Sequence, residues 1–166
     1  MKLISRRTLS LLTSMLLAGL ALGMAPLAQA HTCSKSSGEG RWAFTVTGSV
    51  ILPNGAAVSV AQVGTYTQDR EGNLSGRQTR SLGGSVAQEA FTGTASTSSN
   101  CTGTATIAVY DKASGALVRT TTLDFALDDS TNQARAIVTS IVLPDGTNLG
   151  PVLTLDYRRL SSKDGN

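Results

Sequence analysis

From residue 41 onward the chain alternates apolar and polar side chains in short runs, and clusters of Gly, Asn, Asp or Pro separate these runs. A period of two residues is that of a β-strand with one buried face, and the clusters favour tight turns. Asn54-Gly55 is the dipeptide most typical of a β-hairpin. The 3.6-residue apolar period of an amphipathic helix is not found after residue 30. The sequence therefore predicts an all-β domain.

Eight runs of this kind are spaced evenly along the chain. The predicted strands are 41–52, 57–68, 74–82, 86–94, 103–110, 116–127, 134–143 and 152–160. Even spacing is typical of an antiparallel up-and-down barrel, with a β-sandwich as the alternative. We favour the barrel because closure leaves no strand edge unpaired. Many inward positions carry small residues, which favours a narrow, filled interior over a roomy cavity.

The first 30 residues have the pattern of a signal peptide. Lys2, Arg6 and Arg7 form a basic start, an apolar stretch follows, and Ala28-Gln29-Ala30 offers a small-x-small cleavage site. A transmembrane anchor is the alternative, but a span needs about 20 strongly apolar residues and this stretch is shorter. The paired arginines also resemble a twin-arginine signal, although ordinary secretory signals contain such pairs as well.

The predicted organisation is therefore a signal peptide at 1–30, a flexible N-terminal arm at 31–40, a β-barrel domain at 41–160 and a polar tail at 161–166. We expect a secreted or periplasmic protein with no stable membrane anchor after cleavage.

Charge argues against nucleic acid as a partner. The whole chain has 14 Lys and Arg against 11 Asp and Glu. Three of the cations lie in the predicted signal peptide, so the remaining 11 balance the acids. A neutral domain with no basic run lacks the electrostatic footprint of a nucleic-acid-binding protein.

Both cysteines, Cys33 and Cys101, lie after the predicted cleavage site. A pair of cysteines in an exported chain predicts a disulfide, with two unpaired thiols as the alternative.

Gly40-Arg41-Trp42 opens the first strand, and Arg158-Arg159 lies in the last. This combination of residues resembles the calycin barrels, which include the lipocalins. In calycins such a Trp and Arg close one barrel end through a cation–π contact. Parity places Arg159 on the inward face, so the resemblance implies the pair Trp42 and Arg159. Segments such as Cys-Thr-Gly-Thr also look like small exported bacterial barrels akin to allene oxide cyclase. The chain departs from lipocalins in having few large aromatics, which argues against a capacious pocket.

Recognisable catalytic and metal-binding patterns are missing from the sequence. His31 is the only histidine and lies in the predicted N-terminal arm, so a hydrolytic triad would have no histidine base held in a strand. A copper site at a mature N-terminus would need a second histidine, which the chain does not have. Asp124 and Asp156 face outward by parity, while the facing of Glu89 is ambiguous. We therefore predict no catalytic residues, no metal site and no cofactor.

These observations lead to three hypotheses of function. The first is an exported, non-enzymatic β-barrel that binds a small apolar ligand or an envelope component. The second is a cofactor-free barrel enzyme of the cyclase or isomerase kind, with Glu89 as polar anchor. The third is a structural or interaction module of the cell surface.

Overall fold

The computed structural model of this protein describes residues 32–161. The chain divides into two units, residues 1–30 and residues 31–166, and the described residues all belong to the second. The predicted signal peptide therefore lies outside the described residues, as do His31 and the polar tail after Ser161. Within the described part, no helix has the length and apolar character needed to cross a membrane.

Eight antiparallel strands follow a short 3-10 helix at Lys35–Gly38. The strands are β1 (Gly40–Ile51), β2 (Ala57–Gln68), β3 (Asn73–Leu82), β4 (Ser85–Thr97), β5 (Thr102–Asp111), β6 (Leu117–Leu127), β7 (Gln133–Val142) and β8 (Asn148–Ser161). Each strand pairs with the next in the chain, and β8 pairs with β1, so the sheet closes on itself. The predicted all-β, eight-stranded, up-and-down barrel is confirmed.

The inward side chains of the barrel form one apolar core. Three of the bulkiest, Phe44, Phe91 and Phe125, each lie directly opposite a glycine on a neighbouring strand, and the glycines are Gly64, Gly76 and Gly103. A β-carbon on any of these glycines would come within 2.6 Å of the Cζ atom of the facing ring. Each ring therefore occupies the space that a side chain on the neighbouring strand would need.

Two β-bulges change the side of the sheet to which some side chains point, compared with simple alternation along the strand. In β7 the pairing with β6 skips Thr139, so Ile137 lies outside and is 52% exposed, whereas Ile141 is buried. In β6 the pairing with β5 skips Val118, which turns Leu117 outward while Arg119 faces the interior. A β-bulge shifts the two-residue period by one. Simple two-residue alternation over the predicted strands 116–127 and 134–143 would place Leu117 and Ile137 on the apolar face, and the bulges reverse this.

The segment before β1, predicted as a flexible arm, packs on the barrel. Cys33 and Gly38 are buried, and Cys33 is joined to Cys101 by a disulfide. Cys101 lies in the loop between β4 and β5, so the bond fixes the segment to one end of the barrel. Disulfides persist in oxidising compartments, which indicates an environment outside the cytosol.

We expect Gly76→Ala to lower the free energy of unfolding by about 1–3 kcal/mol, the usual range for overpacking a core. The new β-carbon would lie 2.5 Å from both the Phe91 Cζ and the Thr65 carbonyl oxygen, which belongs to the backbone and cannot rotate away. Chemical denaturation gives the difference. Ser75→Ala, on the exposed face of the same strand, is the control and should change stability by less than about 0.5 kcal/mol.

Removing the disulfide by replacing Cys33 and Cys101 with Ala should cost about 4 kcal/mol of stability. The reason is that the bond spans 68 residues and restricts the unfolded chain over that length. Equilibrium unfolding of the oxidised wild type, the reduced wild type and the double variant checks this. Equal stability of all three would contradict it.

Candidate functional site

The two ends of the barrel differ in construction. One end, here called the capped end, carries loops 69–72, 98–101 and 128–132 together with the segment 32–39. The other, here called the far end, carries loops 52–56, 83–84, 112–116 and 143–147. Since the segment 32–39 packs only at the capped end, the two ends give different access to the interior.

Trp42 and Arg159 form the floor of the interior at the capped end. The Trp42 side chain is 1% exposed, and its indole Nε1 donates a 2.9 Å hydrogen bond to the Gly38 carbonyl. The Arg159 Cζ lies 4.5 Å from the centroid of the Trp42 ring. The same guanidinium donates hydrogen bonds to the carbonyl oxygens of Ser37 and Glu39. The pair thus links the first strand, the last strand and the segment before β1.

An aromatic cluster lies directly on this floor. Tyr66 stacks on Trp42 with ring centroids 6.4 Å apart, and Phe44 contacts Tyr66, Phe91 and Tyr157 with centroid distances of 5.7 to 6.1 Å. Edge and tilted arrangements of this kind suit the quadrupoles of the rings. The chain has only seven Phe, Tyr and Trp residues, and the fold gathers five of them in this cluster.

Two phenol hydroxyls in this cluster have no hydrogen-bond partner among residues 32–161. They belong to Tyr66 and Tyr157, which both line the cavity described below. Burial raises the pKa of Tyr157, and the neighbouring Tyr66 raises it further. Burial also raises the pKa of Tyr66, although the charge of Arg159 offsets part of the effect. Both hydroxyls therefore stay protonated at neutral pH and are available as donors.

The barrel encloses a cavity of about 190 Å³. Its wall is mainly apolar and extends from Trp42 at the capped end to Leu52, Leu82 and Leu143 at the far end. These three leucines are partly exposed, so the cavity approaches the surface at the far end. The interior is therefore neither solid nor capacious, and the aromatic cluster forms its blind end.

A charged cluster is built into the wall in the far half of the barrel. The Glu89 side chain is 1% exposed, and both of its carboxylate oxygens accept hydrogen bonds. Arg119 donates from Nη1 and Nη2, each at 2.8 Å, in a bidentate pair. Arg80 Nε donates at 2.8 Å and Gln78 Nε2 at 2.7 Å. This is the densest set of charge-assisted hydrogen bonds among the described residues.

The cluster keeps Glu89 ionised. Burial by itself would raise the pKa of Glu89, but the hydrogen bonds and charge of Arg119, together with Arg80 and Gln78, outweigh it. The pKa is therefore lowered from 4.5 to about 2. A carboxylate with this pKa and with both oxygens engaged is unsuited to exchanging a proton near neutral pH.

The residues singled out from the sequence fall at separate places. Cys33, Cys101, Trp42 and Arg159 all lie at the capped end. Glu89, whose facing the sequence left open, points inward and belongs to the charged cluster. Asp124 and Asp156 are exposed on the outer face, as parity indicated.

Arg80 and Gln78 were not identified from the sequence as partners of Glu89. They could have been identified from their positions, because alternation along β3 places both side chains on the inward face. Charged and amide side chains that point into an apolar interior need hydrogen-bond partners there. Arg119 carried the same signal on β6. Within residues 32–161 no group of three or more His, Cys, Asp or Glu side chains is placed to hold a metal ion.

The fold and site together define a closed eight-stranded barrel that is capped at one end, contains a small apolar cavity and has an ionic cluster in its wall. No protein-family model and no curated protein sequence matches this chain.

Stability should fall between pH 4.5 and pH 2 because of Glu89. Its pKa is depressed in the folded state, so its contribution is fully present above 4.5 and is lost as the pH falls through about 2. The shift corresponds to about 3 kcal/mol at neutral pH. We expect Glu89→Gln to flatten this part of the stability profile, measured by urea unfolding at each pH. Glu71→Gln, in an exposed turn, is the control and should leave the profile unchanged.

Proposed function

We propose that this protein is an exported, non-enzymatic β-barrel that binds a small apolar ligand inside the barrel. The observation that carries the proposal is the apolar cavity of about 190 Å³, which begins at the aromatic cluster and approaches the surface at the far end. Concave, mainly apolar sites with a few polar groups are typical of small-molecule binding. The unpartnered hydroxyls of Tyr66 and Tyr157 supply such polar groups at the blind end.

The size of the cavity limits the size of the ligand. An engineered protein cavity of about 150 Å³ admits benzene, whereas drug-sized ligands occupy pockets of roughly 300–1,000 Å³. A cavity of about 190 Å³ therefore suits a substituted benzene or a medium-chain hydrocarbon better than a large ligand such as a carotenoid. This agrees with the scarcity of large aromatics in the sequence.

Export to the periplasm or beyond is part of the proposal. The basic start, apolar stretch and small-x-small site of residues 1–30 support it, and so does the disulfide. A calycin-like assignment is supported by Gly40-Arg41-Trp42 and by the contact of Arg159 with the Trp42 ring.

A cyclase or isomerase of the allene oxide cyclase kind is the second candidate. The aromatic lining and the two phenol hydroxyls favour it, because a cavity of this kind can orient a reactive substrate. Glu89 was the expected polar anchor, and its engaged oxygens and low pKa argue against an acid–base role. We therefore rank binding above catalysis.

A cell-surface interaction module finds less support. The large apolar residues exposed among residues 32–161 are distributed over five strands. None of these residues lies directly opposite another one on a neighbouring strand. Apolar residues scattered singly over a surface are normal, whereas an interaction site needs a contiguous patch.

We expect the protein to bind 1-octanol, a neutral probe, with its chain in the cavity. Isothermal titration calorimetry gives the affinity, and the fluorescence of Trp42, the only tryptophan of the chain, reports occupation of the blind end. Ala105→Leu fills part of the cavity and should weaken binding at least about tenfold by displacing the probe.

The matched control is Ala126→Leu, which places the same side chain on the outer face of the barrel. It should leave the affinity for 1-octanol unchanged. No heat and no fluorescence change with the wild-type protein, at concentrations up to the solubility of the probe, would rule out the small-molecule proposal.

A further inference from the structure

The charged cluster in the cavity wall has more positive than negative charge. Arg80 and Arg119 share the single carboxylate of Glu89, and their side chains are only 16% and 10% exposed. Arg119 alone satisfies Glu89 in the bidentate manner that suits a guanidinium and a carboxylate. The charge of Arg80 is therefore in excess, and a charge held largely out of water favours a counter-ion.

One further carboxylate lies nearby but does not neutralise this excess. Asp111 is directly opposite Glu89 in the register of β4 and β5. Its Oδ1 accepts hydrogen bonds from the backbone of Ala113 and Ser114 and from the Ser114 hydroxyl, in the turn before β6. Asp111 thus caps an exposed turn, where solvent screens its charge.

Arg80 also has unused hydrogen-bonding capacity that faces the cavity. Only its Nε is engaged among residues 32–161, by Glu89. Gln62 lies directly opposite Arg80 in the register of β2 and β3, and both residues line the cavity. The side-chain amide of Gln62 makes no hydrogen bond within residues 32–161. A guanidinium edge beside an unpartnered side-chain amide is well suited to binding a carboxylate. The two carboxylate oxygens can each accept a hydrogen bond from these donors.

This polar pair is one side-chain layer away from the aromatic cluster. Gln62 is opposite Val46 on β1, and Val46 is two residues from Phe44. Two residues along a strand span about 7 Å. A single small molecule can therefore place an apolar part among the aromatic rings and a polar group at Arg80 and Gln62.

We propose that Arg80 and Gln62 form a subsite for the anionic group of the ligand, and that the ligand class is a small amphiphile with one carboxylate and an apolar body. The proposal rests on the function proposed above and specifies its ligand. The single excess charge matches a monoanion, whereas a phosphate dianion would exceed it. The carboxylate completes the pairing of Arg80, and the apolar body extends towards Trp42.

The test compares octanoate with 1-octanol, two probes with the same chain length that differ in charge. At pH 7 and low salt, the wild-type protein should bind octanoate about tenfold more tightly than 1-octanol in isothermal titration calorimetry, as expected for hydrogen bonds to a charged group. Arg80→Gln should abolish this preference and leave the affinity for 1-octanol within about twofold.

Arg77→Gln is the matched control, because Arg77 lies on the same strand but faces the exterior. It should keep the preference for octanoate. Equal or weaker binding of octanoate by the wild type, with 1-octanol still bound, would overturn this inference and leave the proposed function standing. Failure of both probes to bind would overturn both proposals.

Loss of the ion pair with Glu89 could prevent Arg80→Gln from folding, which circular dichroism would reveal. Gln62→Leu leaves the Arg–Glu cluster intact and serves as the second variant. It should weaken octanoate binding at least about threefold, the effect of one lost hydrogen bond, and should not weaken 1-octanol binding. An unchanged affinity for octanoate in this variant would count against the subsite.

Discussion

The pairing of β1 with β8 is the constraint on which the rest of this structure depends. Without it the sheet would have two long edges and no enclosed interior. The pairing brings Arg159 opposite Trp42, and the guanidinium then reaches the carbonyl oxygens of the segment before β1. The disulfide between Cys33 and Cys101 fixes that same segment. Closure of the sheet and the Trp42–Arg159 contact at the blind end of the cavity are therefore consequences of one strand pairing, and the disulfide is a second bond that holds the cap.

The charged cluster adds a second constraint, of a different kind. Replacing a buried ion pair by apolar side chains is often neutral or stabilising, so Glu89 and its two arginines are a poor choice for stability alone. The cluster leaves Arg80 partly unpaired and directs it to the cavity. A charged cluster that apolar side chains could replace without loss of stability, and that faces a cavity, is more readily understood as part of a binding site than as part of the scaffold.

The fold could be predicted closely from the sequence because its signals are local. Alternation and turn dipeptides define a strand and its ends within a few residues, and β2 has the predicted bounds. The bulges at Val118 and Thr139 could not be predicted, because the skipped residue depends on how two strands align across the barrel. Simple alternation therefore gives the wrong orientation for Leu117 and Ile137, which lie on the outer face.

The candidate site was predictable only in part. The expected export of the chain predicted the disulfide between Cys33 and Cys101. The family resemblance predicted the pair Trp42 and Arg159. The partners of Glu89 come from β3 and β6, and no pattern within one strand shows which distant side chains will meet. The volume of the cavity was also beyond sequence reasoning. Small inward residues suggested a filled interior, whereas the structure has a cavity of about 190 Å³, because the space left inside depends on how side chains from several strands pack together.

The opposition of phenylalanine and glycine has a consequence for the evolution of this barrel. At Phe44 and Gly64, and at Phe91 and Gly76, the packing depends on the combined size of two residues rather than on either residue alone. A larger residue on one strand is tolerated when its partner becomes smaller. Related sequences should therefore show correlated changes at these positions, with the bulky member sometimes on the other strand and the total volume preserved.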